Sequence, residues 1–519
     1  MPRRHMHVTD AAEAPLRAAL HELRVRMEIP DHFPPTAQAE ADSAARAPRI
    51  PAGNGEVTTE HTLDDATDLP LFTLDPPGTQ DLDQAMFLSR RQGGGYRVHY
   101  AIADIASFIT PGGALDAEAH HRVATLYFPD ERIPLHPTVL SEGAASLLPD
   151  QDRPAVLWQL DLAPDGTLTR TAVRRALVRS RARLHYAGVQ RVLDDGTAEE
   201  PLALLGEIGL RREEQETARG AISLNVPEQE IVERDGRYTL VYRAPLPAAA
   251  WNAQISLLTG MAAAELMLAS GTGILRILPP PSAHPLPDAA PRPSGGTPLH
   301  EEDAHPPAGS VARLRLTAQA LGIDWPHHTS YAALIRTLDP RRAHHAAFLL
   351  ECTALLRGAG YTAFDGTAPP RTTAVHAAVA APYAHATAPL RRLVDRYTSE
   401  LCLAAAADRT PPAWVRAALP GLPHEMETGT QRANQVERAC VDLVEAALLR
   451  DRVGETFEAL VVERHADDPT RGTVHLCEPA VIGPVEAAPG GPALPVGHRI
   501  LVRLTTAEPG RQPVHFTPA

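Results

Sequence analysis

Three carboxylates, Asp75, Asp81 and Asp83, crowd the stretch Leu71-Phe-Thr-Leu-Asp-Pro-Pro-Gly-Thr-Gln-Asp-Leu-Asp-Gln-Ala85. Charges this close repel one another unless a cation neutralises them, and hard carboxylate oxygens suit Mg²⁺ or Mn²⁺. The same residues also read as a solvated acidic turn with its side chains pointing apart. The flanking residues position the group. Leu71 to Leu74 is an apolar run that reads as a buried strand, Pro76, Pro77 and Gly78 break it into a turn, and a second apolar run, Ala85 to Leu88, follows at once.

With 519 residues the chain has room for several domains and a large core. The formal charge of −14 argues against a nucleic-acid partner when taken alone. However, the sequence contains no lysine, so all 49 basic side chains are arginine, whose planar fork suits phosphate and stacked bases. A codon or compositional bias of the source is the favoured account of this. No apolar run approaches the roughly 20 residues that span a bilayer, so no membrane partner is expected. The basic start, Met-Pro-Arg-Arg-His-Met-His, leads into a charged amphipathic stretch with no signal-peptide core. Four scattered cysteines (Cys352, Cys402, Cys440, Cys477) fit a reduced cytoplasm and offer no zinc pattern. The adjacent pairs His120-His121, His327-His328 and His344-His345 diverge on a helix and chelate poorly. Gly93-Gly-Gly95 reads as a hairpin turn, and without a Walker or Rossmann signature no nucleotide cofactor is expected.

The patterning predicts an α+β multidomain protein. Residues 1–60 form a small helical module, with Leu16, Leu20, Leu23 and Met27 at helical spacing. Residues 61–450 open with strands to about Leu177, including a hairpin of Ala155–Leu162 with Leu168–Val173. Helices then dominate: Glu199–Arg219, Trp251–Ala269, Arg341–Arg357, Leu390–Ala406 and Glu425–Arg450. A proline-rich insertion covers 278–309. Residues 451–519 return to short strands (Phe457–Val462, Gly472–Leu476, Ile500–Leu504, Val514–Thr517), the pattern of a small barrel.

Four segments taken in order resemble the catalytic domain of the ribonuclease II family. These are Thr73-Leu-Asp75 with Asp81-Leu-Asp83; His99-Tyr-Ala-Ile-Ala-Asp104; Leu126-Tyr-Phe-Pro-Asp-Glu-Arg-Ile-Pro134 leading to Leu140-Ser-Glu and Ser146-Leu-Leu; and Tyr383-Ala-His-Ala-Thr-Ala-Pro-Leu-Arg-Arg-Leu-Val-Asp395. The terminal segment is similar to the OB-fold barrel named after ribosomal protein S-one. The resemblance implies a β-sheet core surrounded by helices, the RNB-type fold, followed by an RNA-holding barrel. It implies a processive 3′→5′ exoribonuclease that takes single-stranded RNA with a free 3′ end and releases nucleoside 5′-monophosphates by Mg²⁺-dependent hydrolysis, with Mn²⁺ as a substitute. A monomeric, cytoplasmic protein is expected.

Carried over residue by residue, Asp75, Asp81 and Asp83 are metal ligands, and Asp83 is the aspartate the reaction cannot spare. Arg391 contacts the scissile phosphate, and Tyr127 stacks on the terminal base. Arg392, Tyr383 and Glu437 are further RNA contacts. From residue types alone, Tyr127 between two apolar neighbours reads as core, Arg391 as a surface group paired with Asp395, and Glu437 as a solvated helix residue. Three departures stand out. Gln84 occupies the place of a second adjacent aspartate; it is still counted among the metal ligands, with weaker binding or an altered metal preference, and it leaves an inactive RNA-binding member as the alternative. The family's second stacking aromatic is missing from Gly271-Thr-Gly-Ile-Leu275. Residues 1–60 cannot make the two cold-shock barrels of typical members; a helix-turn-helix or winged-helix module is expected there, and with it more tolerance of structured RNA. A metal-dependent phosphoesterase acting on something other than RNA is a third reading.

Overall fold

A computed structural model describes residues 6–8, 14–47, 63–234, 237–279, 311–356, 358–465, 467–476, 479, 481–488, 490–511 and 513–519. The proline-rich insertion expected at 278–309 lies, apart from its first two residues, outside the described residues.

The main sheet has the order Asp64–Asp65, Leu168–His185, Leu71–Asp75, Gln84–Arg90, Tyr96–Ala103, Asp152–Leu162, and the last strand returns to pair with the long strand Leu168–His185. The hairpin between Gln84–Arg90 and Tyr96–Ala103 turns at Gly93, Gly94 and Gly95, whose positive φ values (86°, 99°, 78°) suit glycine. Strand alternation divides the core in two. Tyr96, Val98, Tyr100 and Ile102 join Trp158 and Leu160 on one face, under helices. Ala101, Ala103, Ala155 and Leu157 join Leu71 and Leu82 on the other.

The helix Pro247–Ser270 covers the first face, with proline near its start and Gly271 at a left-handed C-cap, φ 76°. It is long and apolar enough to pass for a membrane span, contrary to the reading that no run approaches that length. Its buried face, including Ile255, Leu258, Ala262 and Met267, packs into the core with Leu393, Val394 and Leu401 of the helix Leu393–Ala406. It is a core helix.

The long strand Leu168–His185 extends well past the expected Val173. Its first part pairs with Asp152–Leu162, its middle runs parallel to Asp64–Asp65 and its end runs parallel to Leu71–Asp75, so one strand serves three neighbours. Interspersed arginines hide that continuity from the hydrophobic pattern. The strand pair Thr272–Ile277 with Gly360–Asp365 was likewise unforeseen. Near the C-terminus, Thr456–Arg464, Arg471–Leu476, Ile482–Glu486, His515–Pro518 and Arg499–Thr506 close a five-stranded barrel around Phe457, Val474, Leu504 and Phe516, consistent with an OB fold. The fold is the expected mixture of a sheet core, surrounding helices and a terminal barrel.

The N-terminal helices Ala14–Arg26 and Pro35–Arg46 bury their apolar residues on this body. Leu16, Leu20 and Leu23 meet Leu126, Phe128 and Ile133 together with Val436 and Leu443 of the helix Leu422–Leu449. Ala41 joins the second sheet core.

A buried ion network ties the sheet to the helix Leu393–Ala406. Arg175 Nε lies 2.5 Å from Asp104 and its Nη2 bridges to Glu400. Removing the guanidinium strands two buried carboxylates, a change that typically costs about 3–5 kcal/mol. Arg175→Met is expected to destabilise the main body by about that amount in urea unfolding. A loss below about 1 kcal/mol would show that the network holds nothing together.

Candidate active site

The loop joining Leu71–Asp75 to Gln84–Arg90 is held by its neighbours before its carboxylates do anything. Ser146 Oγ accepts the Leu82 N–H at 3.0 Å and donates to the Gln80 carbonyl at 2.6 Å. The Leu147 N–H donates to the Leu82 carbonyl. Leu82 is fully buried, and Asp83 beside it is buried as well. This explains the chemistry-bearing spacing Asp-Leu-Asp: the leucine is the anchor between the two acids.

Asp83 is 4% exposed and reaches the segment that leads into the helix Leu393–Ala406. Its Oδ1 accepts the Leu390 N–H at 2.8 Å, and its Oδ2 stands 3.3 Å from Arg391 Nε. Arg391 therefore pairs with Asp83 and not with Asp395, as its spacing alone suggested. Asp395 is fully buried and takes Arg392 as its bidentate partner at 2.7 and 2.9 Å while accepting the Ala388 N–H. Arg392 is thus engaged in holding the loop, whereas the Arg391 side chain keeps 42% of its surface open.

The same loop carries Tyr127 into place. Thr125 N–H donates to the Arg391 carbonyl, and Leu393 N–H to the Val123 carbonyl. Val123 sits at φ 65°, a strained value for a β-branched residue. Three residues on, the short strand Leu126–Tyr127 pairs with Arg132–Ile133, so Tyr127 faces Arg132. Tyr127 is half-buried, and burial raises its pKa against the pull of Arg391. Arg24 of the N-terminal helix braces this hairpin, with its guanidinium 2.9 Å from Asp130 and stacked over Phe128.

Asp81 is bound by Arg132, which also reaches Glu142 at 2.9 Å. Gln84 uses both ends of its amide: Nε2 donates to the Thr387 carbonyl, and Oε1 accepts the Tyr100 hydroxyl at 2.9 Å. Asp75 ends its strand opposite His185. Tyr383 stands edge-on to His376 and His385. Its neighbourhood includes Arg392 and Arg391. Glu437 lies half-buried on the helix Leu422–Leu449, sharing the surroundings of Cys440 with Asp130 and Arg24. Sequence reading overlooked Arg132, Ser146, Tyr100 and Thr387. All four lie in the motifs that carry the resemblance, and their partners are what the spacing conceals.

Burial pushes the Asp83 carboxyl up to about 7 and Asp75 to about 6, in each case opposed by Arg391 and reinforced by Asp81. Hard oxygen donors that are costly to ionise when dry are the kind that a divalent cation stabilises, so the residues suit Mg²⁺ in donor chemistry. As the side chains stand, no three His, Cys, Asp or Glu groups among the described residues converge to hold a metal. Arg132 pairs with Asp81 and Arg391 with Asp83 instead, and any cation bound there would have to compete with them.

An RNB domain matches residues 63–407, and an RNase II-type exonuclease C-terminal S1 domain matches residues 455–519. Over 129 residues the chain is 39% identical to Ribonuclease R of Escherichia coli (strain K12), a stretch covering 25% of this chain and 16% of that relative's length. Its fold is similar to RNase R of Mycoplasma genitalium in complex with ribose methylated single-stranded RNA, with TM-score 0.74 and 16% identity over 98% of this chain and 78% of that one. It is also similar to yeast Ssd1, described as a pseudonuclease, with TM-score 0.59 and 15% identity over 83% of this chain and 51% of that one.

A carboxyl raised from its ordinary value near 4 binds its proton more tightly in the folded state, so stability falls as pH rises from about 4 to about 7. In cation-free buffer, Asp83→Asn is expected to flatten the decline of stability between pH 5 and pH 8 relative to the native chain. Parallel stability profiles in thermal unfolding would show that Asp83 is ionised at little cost.

Proposed function

The chain belongs to the RNB-domain family, and from that premise we propose that it is a hydrolytic exoribonuclease that shortens single-stranded RNA from a free 3′ end. The observation that carries this reading is the pairing of Asp83 with Arg391, which sets an inward carboxylate beside a partly open guanidinium next to Tyr127.

Arg391 would receive the phosphate at the cleavage point, where a guanidinium offsets the charge that grows on the phosphoryl oxygens. Asp83 orients that guanidinium. Tyr127 offers a ring for the terminal base, and Tyr383 lies on the other flank of the loop. Asp75, Asp81 and Asp83 would hold Mg²⁺, or Mn²⁺ in its place, which when bound lowers the pKa of a water and neutralises the phosphate. Residues 1–60 would be an accessory module, 61–450 the catalytic body and 451–519 a barrel that holds the incoming strand by stacking and backbone contacts. Processive release of nucleoside 5′-monophosphates, a monomeric state and a cytoplasmic setting complete the proposal.

A second reading, an RNA-binding member without turnover, is favoured by two observations: Arg132 occupies Asp81, and Gln84 lends no charge.

RNA labelled at its 5′ end and incubated with Mg²⁺ distinguishes them. A ladder shortening from the 3′ end is expected, slowed about 100-fold or more by Asp83→Asn and by Arg391→Ala. Retardation on a gel without shortening supports the second reading. Turnover of simple phosphodiesters but not of RNA would replace both.

A further inference from the structure

The hydrogen bonds of Gln84 assign it a task other than metal binding. We infer that Gln84 is a positioning residue that holds the arginine-bearing segment in register with Asp83, and that it is not a ligand of the cation. Its backbone is fixed where the strand Gln84–Arg90 begins, opposite Ile102. Its side chain then spans to a segment 303 positions further along the chain, donating Nε2–H to the Thr387 carbonyl. A backbone carbonyl has only lone pairs to offer, so nothing but the NH₂ end of the amide can face it. The Tyr100 hydroxyl, on a fully buried ring, donates to Oε1 and fixes the amide the same way round.

Asp83 and Gln84 therefore grip the segment at two points, Leu390 and Thr387. Together with the Ala388–Asp395 and Thr125–Arg391 hydrogen bonds, these two grips on either side of Ala388 limit the rotation of the segment, and with it the direction of Arg391. Thr387 is braced from behind, where its hydroxyl meets Ser256 at 2.8 Å on the core helix Pro247–Ser270. That helix comes close because residue 260 is glycine: a Cβ there would lie 2.3 Å from the Tyr383 ring and 2.6 Å from the Ala384 carbonyl.

A carboxylate at position 84 could accept from Tyr100 but would set an oxygen against the Thr387 carbonyl oxygen. The glutamine thus supplies a hold that an aspartate cannot. Turning Oε1 toward a cation would break both hydrogen bonds and leave a buried hydroxyl and a buried carbonyl without these partners.

This rests on the proposed function only in giving Arg391 the phosphate, and the test uses readouts that need no RNA. Gln84→Met keeps the length of the side chain and removes the amide. Amide hydrogen exchange in residues 386–392 is expected to rise about tenfold, while exchange in the barrel strand Thr456–Arg464 and the affinity for Mn²⁺ both stay within about twofold of the native chain. A Mn²⁺ affinity weakened about tenfold overturns the inference, because it makes Gln84 a ligand. Unchanged exchange in 386–392 also overturns it. Should Gln84→Met fail to fold, Tyr100→Phe removes only the hydroxyl that orients the amide, and exchange in 386–392 is expected to rise about threefold; no rise overturns the inference. A native chain that leaves RNA intact would remove the proposed function without touching either readout.

Discussion

The arrangement depends on one buried carboxylate that joins two distant parts of the chain. Asp83 accepts a backbone N–H from Leu390 and sits against Arg391, on a segment more than 300 positions away. Dry carboxylates are expensive, and the raised pKa of Asp83 is the measure of that cost. The group is kept because its partners compensate: a backbone donor and a guanidinium. The same desolvation that strains the resting site strengthens every charge interaction made inside it.

Everything that surrounds this joint limits its freedom. Ser146 holds the acidic loop, Arg392 and Asp395 stiffen the arginine segment, and Val123 to Thr125 pair with that segment before the chain reaches Tyr127. The N-terminal helix supports the Tyr127 hairpin through Arg24 and a shared apolar cluster. Its role in the described structure is therefore architectural. Protein groups offset the charge of two of the carboxylates, Arg132 on Asp81 and Arg391 on Asp83, so under the proposed function a metal would displace guanidinium groups and not simply fill a vacant acidic cluster.

Much of this was legible in the residues. The strand, turn and strand around Asp75 to Asp83 follow from apolar runs broken by Pro76, Pro77 and Gly78, and the long helices follow from their periodicity. The terminal barrel was legible except for Ile482–Glu486, where Gly483 and Pro484 mask the strand pattern. What spacing cannot carry is the identity of partners far apart in the chain. The motif Leu126–Pro134 gives Arg132 no role of its own, yet it binds Asp81; Gln84 read as a weakened ligand, yet it donates to Thr387. Arg391 and Arg392 are adjacent and identical in type, and only the fold assigns one to Asp83 and the other to Asp395. Local pattern sets elements, whereas the hydrogen-bond partners of polar side chains are set by tertiary packing.

The central claim is that Asp83 and Arg391 act as one unit, and a double-mutant cycle tests it most directly. Single-turnover rates of RNA shortening would be compared for the native chain, Asp83→Asn, Arg391→Met and the double variant. A unit predicts that the double variant loses little more than the worse single variant, so that the two changes are strongly coupled. Losses that simply multiply would mean two independent groups and would contradict the claim.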